Sequence, residues 1–220
     1  MDIELNPAEQ DAAVEKRAGS DKEKQILEGA RQVFLAKGFD AASMNDIARV
    51  AGVSKGTLYV YFDSKEALFA DLIRKERTQQ AERICRISDE NPDVAAVLFS
   101  FGRSLLTMLV EPAHLAQVRT VIAAVPKFPQ IGQAFYESGP RHGLDRLAAY
   151  FARQTEAGRL DTPEPRIAAS HFVQLCQGDI YKQVLFGITD QITAKDIDHA
   201  VQAAVDVFMK AYGPAAASSR

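Results

Sequence analysis

Residues 43–65 read SMNDIARVAGVSKGTLYVYFDSK. The hydroxyls of Ser43, Ser54 and Thr57, the phenols of Tyr59 and Tyr61 and the ammonium groups of Lys55 and Lys65 are all donors suited to phosphate oxygens. Gly56 carries no side chain, so a backbone can approach it closely. Val60 supplies the opposite chemistry, a branched apolar group suited to a thymine methyl in a major groove. Together these types point to a surface that grips a nucleic-acid backbone and reads little of its sequence.

The elements that must hold these groups follow from spacing. Ser43 with Asp46 three residues later is a helix start, and Met44, Ile47, Ala48 and Ala51 form its inner face. Gly52 ends that helix after barely two turns. Ser54 starts a second helix that runs to Tyr61 or Phe62. With Leu58 inward and about 100° per residue, Phe62 is also inward, and Gly56, Thr57, Tyr59 and Val60 fall on the outer arc. A solvated helix would favour Glu, Lys and Gln there. Two short helices joined by a glycine turn make a helix-turn-helix, which serves DNA binding in some proteins and plain packing in others. Tyr61 lies near the inner face and Lys65 sits in a first helical turn, so each has a structural reading beside the binding one.

A preceding helix opens at Ser20, with Glu23 completing a capping box. It buries Ile26, Leu27, Ala30, Val33 and Phe34, and stops at Gly38. Asp63 and Ser64 start a longer helix with Leu68, Phe69, Leu72 and Ile73 as its stripe, fading toward Cys85. Residues 1–19 are polar and aperiodic, a flexible arm. At its end Lys16 and Arg17 form either a minor-groove reach or a solvated pair. Beyond SDENPD helical patterns run over about 92–110, 113–124, 127–137, 138–157, 164–187 and 194–212, punctuated by prolines near their starts. The tail GPAAASSR is frayed. No alternating strand pattern is present. The expected architecture is all-α, with an N-terminal three-helix unit over 20–66, a larger helical domain over 67–213 and a flexible tail over 214–220.

The chain has 220 residues and a net charge of −3. Residues 1–15 hold five acids and no bases, while residues 16–65 hold nine Lys/Arg against six Asp/Glu, a local +3. That excess is too modest to indicate DNA by itself. No apolar run spans a bilayer and the N-terminus is too acidic for a signal peptide, so no membrane partner and a cytoplasmic location are expected. Cys85 and Cys176 are far apart and read as buried thiols. Nucleophile elbows, zinc-hydrolase motifs, phosphate loops and paired carboxylates are missing. His114, His142, His171 and His199 have no ligand spacing. Neither enzymatic activity, a metal nor a cofactor is expected.

The run DIARVAGVSKGTLYVYFDSKEAL, with GF at 38–39 and the first-helix stripe, closely resembles the TetR family of bacterial transcription regulators over about residues 20–73. The resemblance implies that the third helix reads the major groove. By position the DNA-contacting set is Ser43, Lys55, Gly56, Thr57, Tyr59, Val60, Tyr61 and Lys65, with Ser54 added as a further DNA-binding hydroxyl. The C-terminal run RTVIAAVPKFPQIGQAFYESGPRHGLDRLAAYFARQTEAGRLDTPEPRIAASHFVQLCQG looks like the AefR-like subgroup. The resemblance implies double-stranded operator DNA as partner, a homodimer, and an unidentified small-molecule effector held among the middle helices.

Candidate effector-pocket residues are Phe99, Leu106, Met108, His114, Arg119, Phe135, Tyr136, His171 and Cys176. Most of them fit a plain core equally well. A guanidinium at Arg119 would favour an anionic ligand if it faced a pocket, and an ion pair or a surface stem otherwise. The last two helices carry more apolar surface than one packing partner needs. An intermolecular four-helix bundle would cover it through Phe172, Leu175, Ile180, Val184, Val201, Ala204, Val205 and Phe208. The function expected is a ligand-released repressor; the alternatives are an activator without small-molecule induction and a helical interaction module.

Overall fold

The computed structural model describes the backbone of residues 7–84 and 91–214 and the side chains of residues 21–77 and 91–214. Every element among them is helical: α1 (Pro7–Ala41), α2 (Met44–Ala51), α3 (Lys55–Tyr61), α4 (Lys65–Ile84), α5 (Val94–Val110), α6 (Pro112–Ala124), α7 (Pro129–Tyr136), a π-helical turn (Glu137–Arg141), α8 (His142–Glu156), α9 (Pro165–Gln177), α10 (Ile180–Leu185) and α11 (Ala194–Tyr212). Cys85, the side chains of Lys16 and Arg17, and residues 215–220 of the expected tail lie outside the described residues.

Three helix boundaries differ from the sequence reading. Helix α1 runs back to Pro7, so residues 7–19 are helical instead of forming an irregular arm, and Ser20 lies mid-helix instead of capping it. The segment AEQDAAVEKRA is rich in Ala, Glu, Gln, Lys and Arg, which carry a helix with little loss of rotamer freedom. Pro140 does not separate two helices: it sits inside the π turn that joins α7 to α8. The wider π turn accommodates a ring that cannot donate the normal bond. The pattern over 164–187 splits into α9 and α10 at Gly178, whose φ of 46° is a left-handed-side conformation few other residues adopt.

The N-terminal core is formed by α1, α2, α3 and the first half of α4, with Leu58 and Phe62 inward as the spacing requires. It does not end at residue 66. Leu68, Phe69, Leu72 and Ile73 of α4 belong to it, and so do Val121 and Ala124 of α6 and Ile131 of α7. Its aromatic centre links Phe34 to Phe69 at 4.6 Å, Phe39 to Phe69 at 5.1 Å and Phe39 to Phe128 at 5.3 Å between ring centroids. Helices α1 and α2 meet backbone to backbone: a Cβ at Gly29 would lie 2.6 Å from that of Ala51.

The second core is formed by α5, α8, α9 and α11. It corrects the expected subunit interface. Phe172, Val184, Val201, Ala204, Val205 and Phe208 are all buried within one protomer, and Ile180 is half-buried. Helical periodicity marks an apolar face but not which chain covers it. Of the predicted interface set, Leu175 alone is exposed. The outward apolar residues here are Ile167 and Leu175 on α9 and Val207 on α11, with Phe186 and Ile188 following α10.

Candidate nucleic-acid interface and effector cavity

Helix α2 starts where Ser43 Oγ accepts from the Asp46 backbone N–H at 3.1 Å and donates to the Asp46 carboxylate at 2.8 Å. That bond, followed by one from Lys37, holds the Asp46 carboxyl below its usual range. Gly52, with φ of 65°, closes the helix by donating to the carbonyls of Ala48 and Arg49. The Gln25 side chain also donates to the Ala51 carbonyl at 2.6 Å, tying α2 to α1. Ser54 then caps α3 by accepting from the Thr57 N–H at 2.9 Å.

These fixed ends set the roll of α3. Gly56, Tyr59 and Val60 point to solvent and Thr57 is half-buried at the edge, as the spacing requires. Val60 is 82 % exposed and Tyr59 43 %. The Lys55 ammonium lies 5.9 Å over the Tyr59 ring. Space around Gly56 is open, since an added Cβ would find only Ser54 Oγ, at 3.8 Å. Tyr61 is half-buried against the N-terminal core, which supports its structural reading.

Lys65 departs from the expected free charge. Its ammonium donates to the carbonyls of Phe39 at 2.7 Å, Ala42 at 3.0 Å and Asp40 at 3.3 Å, and lies 4.4 Å from the Phe39 ring centroid. A lysine has three N–H donors, and all three are engaged on carbonyls at the C-terminal end of α1 and just past it. Lys65 therefore clamps α4 to α1, and no donor remains for a phosphate in this arrangement. Distances across 25 residues of sequence cannot be read from local spacing.

In the larger domain a cavity of about 350 Å³ lies among α4, α5, α6, α7, the π turn, α8, α9 and α10. Of the residues predicted for a pocket, Met108, His114, Phe135 and Tyr136 line it. The others do not. Phe99 is half-buried and packs against the second core, in which Leu106 and Cys176 are buried. The Cys176 thiol is pushed up to about 12 by burial. Arg119 donates to the carbonyls of Val184 at 2.7 Å and Leu185 at 3.0 Å, closing the end of α10. His171 is exposed and pairs with the Tyr212 hydroxyl at 2.6 Å.

Sequence reasoning missed the cavity's charged residue. Arg77, on α4 and 3 % exposed, forms a bond of 2.8 Å with His114 Nδ1, donates to Gln117 Oε1, and places its guanidinium carbon 4.3 Å from the Phe135 ring centroid. The Gln117 amide in turn donates to the Glu76 carboxylate. Burial lowers Arg77 to about 10, which leaves it charged at neutral pH. Burial, then the Arg77 charge, lowers His114 to about 3, so its ring is neutral and accepts through Nδ1. Burial raises the Glu76 carboxyl. In sequence Arg77 looks like one more base in the run RKER.

A capped helix-turn-helix with an uncharged outer arc, mounted on a helical body that holds a cavity, places the chain among the helix-turn-helix proteins. The family model for bacterial regulatory proteins of the tetR family matches residues 26–72, and that for the AefR-like transcriptional repressor C-terminal domain matches residues 96–214. The chain belongs to the TetR family of DNA-binding transcription regulators. Among solved structures it is similar to a candidate TetR-family regulator from Mesorhizobium loti MAFF303099, at 29 % identity and TM-score 0.83, covering 88 % of this chain and 98 % of that one. It is also similar to the flavonoid-responsive regulator FrrA, at 34 % identity and TM-score 0.79, covering 90 % and 100 %. The uncharacterised helix-turn-helix regulator YuxN of Bacillus subtilis (strain 168) is 34 % identical over 91 residues, 41 % of this chain and 30 % of YuxN. The chain thus spans about a third of the length of the first curated relatives it matches.

Proposed function

We propose that this regulator is a repressor that binds a palindromic operator as a homodimer and leaves it when a small molecule occupies the cavity. The observation that carries the DNA half is the outer arc of α3. An isolated valine at 82 % exposure beside an exposed tyrosine and an open glycine is a poor surface for water and a good one for a groove. On this reading Gly56 and the N-termini of α2 and α3 meet phosphates, Thr57 and Lys55 add polar and charged contacts, Tyr59 and Val60 reach bases or sugars, and Ser43, whose hydroxyl proton goes to Asp46, acts by capping α2. Ser54 acts by capping, Tyr61 by packing and Lys65 by holding α4 against α1.

The homodimer is supported by the outward stripe of Ile167, Leu175 and Val207 on α9 and α11, with Val207 50 % exposed. Dimerisation holds two recognition helices about 34–36 Å apart, the spacing of successive major grooves. The effector is supported by the cavity and by the likeness to a regulator named for its response to flavonoids. Release follows if the ligand has different affinities for the DNA-bound and free arrangements.

A palindromic duplex selected from random oligonucleotides provides the test. The Lys55→Ala/Tyr59→Ala double variant is expected to lose operator binding while remaining a dimer by light scattering. Val207→Asp is expected to stay folded and become monomeric. Unchanged binding in the first, or a monomeric parent protein, would overturn the proposal.

A further inference from the structure

The cavity's lining points to a ligand class. Among its described lining residues Arg77 alone carries a formal charge, and the walls are otherwise apolar or neutral, with Phe101, Phe135 and Tyr136 supplying aromatic faces. A buried cation in a low-dielectric wall attracts an anion far more strongly than it would in water. Among the described residues the carboxylate of this cluster is Glu76, which does not line the cavity and is joined to Arg77 through the Gln117 amide. His114, also a lining residue, accepts from Arg77 through Nδ1 and so carries its ring proton on Nε2. The volume, about 350 Å³, is at the small end of the range for small-molecule sites.

We propose that the cavity binds a compact aromatic acid, its carboxylate held at Arg77 and its ring lying among Phe101, Phe135 and Tyr136. This rests on reading the cavity as the effector site. It goes further by naming the charge and the anchor.

The test uses the full chain and three probes in titration calorimetry: 2-naphthoate, the neutral 2-naphthalenemethanol, and octanoate. A charge-assisted bond predicts naphthoate binding about tenfold or more tighter than the alcohol, and tighter than octanoate. Arg77→Gln should abolish that preference. Because Arg77 is buried and its loss can affect folding, a second variant fills the cavity from elsewhere. Gly143 lines it, lies in α8, and has nothing within 4 Å of an added Cβ, so Gly143→Leu should fold and exclude all three probes.

Equal affinity for naphthoate and the alcohol, tighter binding of octanoate, undiminished naphthoate binding in Gly143→Leu, or no binding by any probe would each overturn the assignment. The two readings fail separately. If naphthoate binds as expected and operator affinity does not change, the anion site stands and the effector role falls. If a neutral compound binds equally well and releases the operator, the effector role stands and the anion assignment falls.

Discussion

Replacing Gly56 by alanine separates what this residue does for the fold from what it does for DNA. Gly56 is in the first turn of α3, and its φ is not positive. The new methyl would meet only Ser54 Oγ, at 3.8 Å, an ordinary contact. The free protein therefore gains helix propensity without strain, about 0.5–1 kcal/mol. In a chain of this size that is a rise in Tm of about 1–4 °C. Against DNA the sign reverses. The methyl stands where the backbone approaches phosphate, and a lost charge-assisted bond costs about 1.5–3 kcal/mol, or roughly ten- to a hundredfold in affinity per half-site. Thermal unfolding and fluorescence anisotropy with the operator duplex measure the two effects. A Gly56→Ala protein that binds like the parent, or one less stable than the parent, would refute the reasoning.

Two further outcomes follow from the side-chain network. Lys65→Met keeps the stem but removes three carbonyl contacts and the charge over Phe39, so the N-terminal unit should lose about 1.5–3 kcal/mol in urea unfolding. Lys65→Arg should restore part of that loss. His114 imposes a pH dependence: its folded pKa of about 3 lies below the usual 6.5, so the unfolded chain takes up the proton first. Stability should therefore fall as pH drops from about 6.5 toward 3, by up to about 2 kcal/mol at pH 5. Glu76, raised by burial, works in the opposite direction above its ordinary carboxyl range. The difference between the parent and His114→Asn in denaturation at pH 7 and pH 5 isolates the histidine, and an identical pH slope in both would remove it as the cause.

What the sequence by itself determined is local. The caps at Ser43 and Ser54, the stop at Gly52 and the roll of α3 about Leu58 all depend on groups within four residues of one another, and each is found as the spacing requires. The outward glycine, tyrosine and valine were legible for the same reason, because helical geometry fixes relative direction once one buried residue is known. What only the tertiary structure decided is which surfaces meet. The Lys65 clamp joins groups more than 20 residues apart, and the Arg77 cluster joins α4 to α6 across 37 and 40 residues. Most residues predicted to face a partner are instead buried in the protomer, and of the predicted pocket residues Phe99, Leu106 and Cys176 pack in the core while Arg119 and His171 make contacts elsewhere. An apolar period states that a face is covered, and a polar residue states that it needs a partner. The identity of the cover and of the partner comes from packing, a property of the folded chain as a whole.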